Sequence, residues 1–453
     1  MTAALLVETG SGPLAGRRRA AAIATVLASM TLAVLDAGMT TAALPNLARA
    51  FSVTPASAIL VVTAYQAGLI MALLPMGAVG ERFGHRRVFW LSLVLFALAS
   101  ASAAVAPGLP WLAAARFVQG IAGAGIMGLG VALLRFTVPK AQLGAAIGWN
   151  ALTVALASAA APSVGALVLA LADWRGLFAL NLPVAALALL GAHALPDAPR
   201  RPAPLDFVSI GLNGLTFAAF ILAAQALASH PGRAAGLLAL SVAAFAVFAR
   251  REAPKAAPLL PLDLLRRAAF RLSVIASVCC FTAQTAGLLA LPFLLQRRMG
   301  LTPLSAGLCV TLWPLSVALA AAVVGRLADR LPTAWICALG AAALCVGLAG
   351  CAVLAGASRP ELLTPWIALG GLGFGLFQSP NNRNMFLAAP AERAGATGGM
   401  QGTARVSGQT LGALATALLF AGAPLESALP VALGLAAAAA LTGGLVSLLR
   451  LQA

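Results

Sequence analysis

The sequence predicts an all-α membrane protein of fourteen transmembrane helices, built as two six-helix bundles with two extra helices between them. Three observations predict this. First, 61% of the 453 residues are apolar and only 9% are charged, against about 25% charged in a soluble domain. With a mean hydropathy of +0.97, no soluble interior of this size hides that much apolar surface, so lipid has to cover part of it. Second, long apolar runs alternate with short basic loops, the pattern of membrane-spanning helices. They lack the dyad alternation of a membrane β-barrel. Third, the pattern repeats within the chain.

The expected spans are roughly 20–44, 56–79, 88–106, 110–134, 141–169, 176–195, 206–228, 233–249, 271–295, 304–325, 334–355, 363–382, 397–421 and 429–449. Each is long enough to cross about 30 Å of hydrocarbon as a helix. GAVGERFG at Gly77 recurs as GRLADRLP at Gly325, and Pro110-Trp111 recurs as Pro365-Trp366, each pair opening a span. The extra pair of spans is bracketed by PDAPRRPAP (196–204) and EAPKAAPLLP (252–261), which read as linkers. The expected units are therefore 1–195, 196–270 and 271–453. Two similar halves suggest a solute path between them that rocks open to either side.

Net charge is +17, from 29 basic and 12 acidic residues. An even span count puts both termini on one side. If that side is the cytoplasm, the inner segments hold 21 Lys and Arg, the outer segments six (Arg49, Arg175, Arg233, Arg297, Arg298, Arg359), and Arg116 and Arg405 lie within spans. That excess sets both termini in the cytoplasm, in a cytoplasmic (inner) membrane. The basic residues are then topology signals, and nucleic acid is not an expected partner. Arg17, Arg18 and Arg19 precede an apolar run with no cleavage site, which reads as a first span rather than a removable leader.

Several chemistries are disfavoured. The six cysteines lie in apolar stretches without metal-ligand spacing, so they read as buried thiols. His85, His193 and His230 fall at loops or span ends, and no Ser-His, Cys-His or metal cluster appears. No cofactor, metal or catalytic residue is expected, and the chain does not read as an enzyme. The glycines of GIAGAGIMGLG (120–130) sit inside a span, where they suit close helix packing rather than nucleotide binding.

Six segments carry a family likeness: LDAGMTTAALP (35–45), GAVGERFGHRR (77–87), ARFVQGIAGAG (115–125), WRGLFALNLP (174–183), GFGLFQSPNN (373–382) and GTARVSGQTLG (402–412). Together, in this order, they resemble the major facilitator superfamily, and more narrowly its fourteen-span drug:proton antiporter branch of multidrug efflux transporters. The resemblance covers nearly the whole chain. It implies the major facilitator fold, alternating access, proton-coupled export of small amphipathic molecules, and Asp36 as the acid of the first span. Two departures stand out. Glu81 occupies a position where the family usually has Asp. The span 5 segment AAAPSVGA (159–166) is a degenerate form of the antiporter signature, which weighs against antiport relative to symport or facilitated passage.

The residues themselves point the same way. Asp36 is the only one of the acids read as well inside a span. A carboxylate at that depth is costly when ionised, and a group that exchanges a proton as water reaches it is what proton coupling needs. Arg116 is its natural partner: counted from the outer span ends, Asp36 lies about 12 Å deep and Arg116 about 9 Å. Gln119, one turn on, completes a polar cluster. Arg405, in span 13, has no acid near it in its own half and is expected to bond carbonyls or the amides of Asn381 and Asn382. Tyr65, Gln66, Trp149, Asn150, Gln284, Trp313, Gln378, Asn381, Arg405 and Gln409 are expected to line a cavity or bond across helices. At the inner ends, Gly77, Glu81, Arg82, Gly84, Arg86 and Arg135 in the first half, with Asp329, Arg330 and Arg383 in the second, are expected to form a charged gate.

The expected partners are a small-molecule solute, protons and the lipid bilayer, with the chain acting as a monomer. The alternative to proton-coupled export is a proton symporter or facilitator of a specific metabolite on the same fold. Two intramembrane arginines and one acid tolerate a neutral, monocationic or weakly anionic solute better than a bulky dication.

Overall fold

The computed structural model describes residues 16–139, 142–197, 205–227, 229–255, 258–327, 332–357, 359–390 and 393–451. Among these residues every regular element is helical, and fourteen helices are long enough to span a bilayer. In the first half these are α1 (Gly16–Ala42), α2 (Leu60–Phe83), α3 (His85–Ala104), α4 (Leu109–Thr137), α5 (Leu143–Leu171) and α6 (Arg175–Ala194). The extra pair is α7 (Phe207–Ala226) and α8 (Pro231–Glu252). The second half holds α9 (Ala268–Phe293), α10 (Pro303–Leu327), α11 (Thr333–Val353), α12 (Thr364–Leu387), α13 (Ala394–Gly422) and α14 (Leu425–Leu449). Thirteen of these are strongly apolar; α13 is more polar because Arg405, Ser407 and Gln409 fall within it.

Local chemistry explains the boundaries. Proline sits in the first turn of α4, α8 and α12, where its missing N–H costs nothing. Asp206 caps α7 by accepting from the Ser209 N–H. The first span ends slightly earlier than expected: the helix breaks at Ala43 and resumes as a short helix, Leu44–Ala50, with Pro45 in its first turn. Within the spans, hydroxyls such as Ser29, Ser92 and Ser100 donate to the carbonyl four residues back. That satisfies them where no water is present.

The two halves repeat one packing scheme. In the first, α1 packs on α5 and α6, α2 on α4, and α3 on α4 and α6; in the second, α9 packs on α13 and α14, α10 on α12, and α11 on α12 and α14. Each pairing recurs eight helices later. A glycine sets one of them at atomic detail. A Cβ on Gly120 of α4 would lie 2.0 Å from the Tyr65 carbonyl oxygen of α2, and a Cβ on Gly371 of α12 would lie 2.2 Å from the Trp313 carbonyl oxygen of α10. Only glycine allows backbones that close.

The halves meet at α5 against α10 and α2 against α13, a reciprocal pair of contacts as two-fold pseudosymmetry requires. The Ser163 and Thr311 hydroxyls bond across the first of these at 2.7 Å. Near the end where α1 finishes, Leu44–Ala50 packs on α9, Pro55–Ala58 packs on α13, and Gln296 donates to the Ala42 carbonyl at 3.5 Å. One continuous apolar core crosses the two halves there, including Met39, Leu47, Phe178, Phe281, Phe293 and Trp313. The opposite ends have separate cores, one around Phe89, Phe96 and Leu133 and another around Phe270, Met385 and Met400. The halves are therefore clamped at the end where α1 finishes.

α7 and α8 pack chiefly on each other, with α7 also touching α2 and α13. Their base is held by a charged knot. Asp206 accepts from Arg251 at 3.0 and 3.1 Å and from Lys255 at 2.6 Å. Glu252, fully buried, accepts from the Ser209 hydroxyl, the Leu259 N–H and Lys255. Large apolar side chains such as Leu98, Leu171, Leu187, Phe207 and Val353 stay exposed on the outside, the surface that lipid covers.

Candidate functional site

Five helices of the first half converge on one carboxylate. Asp36 lies six residues before the end of α1 and is 1% exposed. Arg116, on α4, is equally buried and reaches Asp36 Oδ2 through Nη1 in a direct ion pair. Gln119, one turn further along α4, accepts from Arg116 Nη1 at 2.6 Å and donates to Asp36 Oδ1 at 3.3 Å. Asn181, in α6, donates to Asp36 Oδ1 at 2.7 Å. Ser100, in α3, accepts from Gln119 at 2.8 Å. Arg116 Nε is directed to the Val61 carbonyl of α2 at 3.4 Å.

Aromatic rings close the site. The Arg116 guanidinium stands 4.4 Å from the Tyr65 ring centroid and 5.7 Å from that of Phe178. Contacts of this kind are worth about 2 kcal/mol when desolvated. Every polar neighbour of Asp36 acts as a donor, an arrangement suited to the anion. Burying such a pair is costly, and removing one partner leaves an uncompensated charge that costs about 3–5 kcal/mol. In this conformation the pair is sealed from water.

Asn181 and Ser100 were not among the residues singled out from the sequence. Asn181 is legible in hindsight as a lone carboxamide within an apolar run, in the segment WRGLFALNLP. Ser100 carries no such signal.

The other expected site residues separate. Tyr65 and Gln66 are buried on α2, and Gln66 Oε1 has no hydrogen-bond partner among the described residues. Asn150 Oδ1 on α5 is likewise without one, while Trp149 is 61% exposed. Gln284, Gln378 and Gln409 keep partial exposure. Two of these residues stand between helices rather than on a cavity. Trp313 is fully buried with its ring against Gly370, and Asn381 is fully buried and donates to the Ser273 carbonyl at 3.1 Å. Both pack helix against helix and line no open space in this conformation. The partners expected for Arg405 are also corrected. Arg405 makes no hydrogen bond or ion pair among the described residues, neither to carbonyls nor to the amides of Asn381 and Asn382, and its Nε is buried without a partner.

Of the expected gate residues, Glu81, Arg82, Arg135 and Arg383 are exposed at the end where α2 finishes. Gly84, at φ 97°, makes the tight α2–α3 turn that its missing side chain allows, and a Cβ on Gly77 would meet nothing within 4 Å. Arg86 pairs with Asp197, in the linker that follows the first half, at 3.2 Å. Asp329 and Arg330 lie outside the described residues. A mostly apolar cavity of about 350 Å³ lies beside the bundles, between α7, α8, α2 and α13, and is lined by Ile70, Phe217, Phe220, Phe245, Ser407 and Leu411 among others.

A family model described as Major Facilitator Superfamily matches residues 26–413. The chain belongs to this superfamily. It is a multi-pass membrane transporter of the secondary class rather than an enzyme. Among its relatives, "Uncharacterized transporter YebQ" of Escherichia coli (strain K12) is 39% identical over 410 residues, covering 89% of each chain. The tetracenomycin C resistance and export protein of Streptomyces glaucescens is 30% identical over 92% of this chain and 78% of its own length. The riboflavin transporter RibZ of Clostridioides difficile (strain 630) is 28% identical over 83% of this chain and 82% of its own. Among solved structures, a POT family transporter in complex with a thioalcohol-conjugated peptide superposes with a TM-score of 0.74 over 94% of this chain and 95% of its own. At 13% identity that likeness speaks for the fold alone.

Proposed function

We propose that this transporter couples movement of a small solute to movement of protons, and that Asp36 is the group that takes up and releases the proton. The observation that supports this reading is the Asp36–Arg116 pair, buried inside the first half and surrounded by Gln119, Asn181 and Ser100. An intramembrane ion pair without a purely packing purpose marks a transport pathway. The two halves rock against each other and part at the α5–α10 contact as the clamp opens, water then reaches the pair, and protonation of Asp36 frees Arg116 from its partner. The expected units (1–195, 196–270 and 271–453) then act as rocking half, accessory pair and rocking half. Glu81, Arg135 and Arg383 belong to the gate that closes the opposite end. The termini lie in the cytoplasm, the membrane is the cytoplasmic one, and a single chain suffices.

The direction of coupling has two readings. Proton-driven export of amphipathic molecules, as in the fourteen-span drug:proton antiporter branch, is supported by the ordered segments and by a relative named for resistance and export. Symport or facilitated passage of a defined metabolite stands at least level with it. It is supported by the degenerate AAAPSVGA segment and by a relative named for riboflavin. The test is transport by purified protein in vesicles, with and without a pH gradient, over a solute panel. Antiport predicts that solute leaves against an incoming proton gradient, and symport that it enters with one. Solute flux with no dependence on the gradient would overturn proton coupling altogether.

A further inference from the structure

We propose that Arg405 is the docking point for a negatively charged group of the solute, so that the transported class is small amphipathic monoanions such as carboxylates. This deepens the transport reading above and rests on it. The first observation is charge balance. Asp36 and Arg116 neutralise each other in the first half. Arg405, midway along α13, has no counter-ion and no hydrogen bond among the described residues, and its Nε is buried and orphaned. Arginine does not shed its proton to escape that cost, so a partner has to come from elsewhere.

The second observation is position. Arg405 is partly exposed, and its neighbours on α13 abut α2 of the other half: a Cβ on Gly402 would lie 3.0 Å from the Leu73 side chain, and Val406 shares an apolar cluster with Tyr65 and Leu69. It therefore borders the interior between the halves rather than lipid. The third is its company. Gln401 and Gln409 stand four residues to either side of it, on the same face of α13. Both are partly exposed, and neither has a hydrogen-bond partner among the described residues. The guanidinium is donor-only and positively charged, which a carboxylate matches and an amine does not, and the two carboxamides can turn their NH2 groups toward the same anion. Arg116 offers no competing site, since it is 1% exposed and already engaged with Asp36 and Gln119.

The experiment compares an isosteric pair, naphthalene-2-carboxylate and 2-naphthamide, by calorimetric titration of the purified full chain at pH 7. The expected result is carboxylate binding about tenfold or more tighter than amide, the size of one charge-assisted hydrogen bond. Arg405→Gln should bind the two equally, and Arg405→Lys should keep part of the preference. Equal binding by the unaltered chain, which needs no variant to fold, would overturn the proposal, as would a preference that survives in Arg405→Gln. Should Arg405→Gln fail to fold, Arg405→Lys decides: a preference undiminished from the unaltered chain overturns the assignment. Proton flux in vesicles, compared between the unaltered chain and Asp36→Asn, separately reports the coupling reading. A failure there leaves the Arg405 titration intact as a distinct result.

Discussion

The Asn181 side-chain nitrogen lies 2.7 Å from Asp36 Oδ1. That bond ties α6 to α1 at the centre of the ionic site. Asn181 also reaches the Ser100 hydroxyl at 3.4 Å, so a shift of α6 relative to α1 and α3 alters the carboxylate's surroundings directly. Replacing Asn181 by Leu removes one donor to a buried charge, a loss of about 1.5–3 kcal/mol. The expected outcome is a displaced pH profile of transport with the solute's KM little changed. An unchanged profile would show that Asn181 only holds helices together.

Close approach of α2 and α4 underlies the site, because Tyr65 and Arg116 face each other across it. Gly120→Ala places a methyl 2.0 Å from the Tyr65 carbonyl oxygen, whereas Gly128→Ala meets nothing within 4 Å. The first should lower stability by about 1–3 kcal/mol or more, and the second should be close to neutral. Thermal unfolding in detergent distinguishes them.

The clamp between the halves is testable by cross-linking. Ser163 and Thr311 hydroxyls are 2.7 Å apart on α5 and α10. In a chain whose six cysteines, all free in the structure, have been replaced, Ser163→Cys with Thr311→Cys should form a disulfide under mild oxidation. Transport should stop on oxidation and return on reduction. Full activity in the cross-linked protein would contradict separation of the halves at this contact.

The base of α7 and α8 has its own pH signature. Arg251, then Lys255 and the Ser209 N–H, hold the Asp206 carboxyl well below the usual carboxylate range. A depressed folded value means that the stabilisation is fully present above the unfolded value of about 4 and is lost as pH falls toward the folded one. Asp206→Asn should therefore lower thermal stability at pH 7 and flatten its decline between about pH 5 and pH 3. Parallel declines in the two proteins would contradict this.

Much of the fold was legible because lipid imposes a harsh rule: a spanning segment has to be long, apolar and helical. Fourteen spans, their repeat and the polar exceptions Asp36, Arg116 and Gln119 follow from that rule. What stayed hidden depends on tertiary packing. Glu252 sits in a proline-rich run that reads as a linker, yet the chain folds back to bury it with Ser209 and Lys255. Trp313 and Asn381 look like cavity residues by type, but glycines and a carbonyl on neighbouring helices absorb them. Arg405 was visible as a charge; that it has no partner among the described residues could be learned only from its neighbours.

The central claim is that Asp36 carries the transported proton, and the direct measurement is pH-gradient-driven solute flux in vesicles with Asp36→Asn. That substitution leaves Arg116 uncompensated, so stability should fall by about 3–5 kcal/mol, and only properly inserted, monodisperse protein is compared. The account predicts that gradient-driven accumulation disappears while downhill solute exchange persists. Accumulation at the unaltered rate in the folded variant would contradict it.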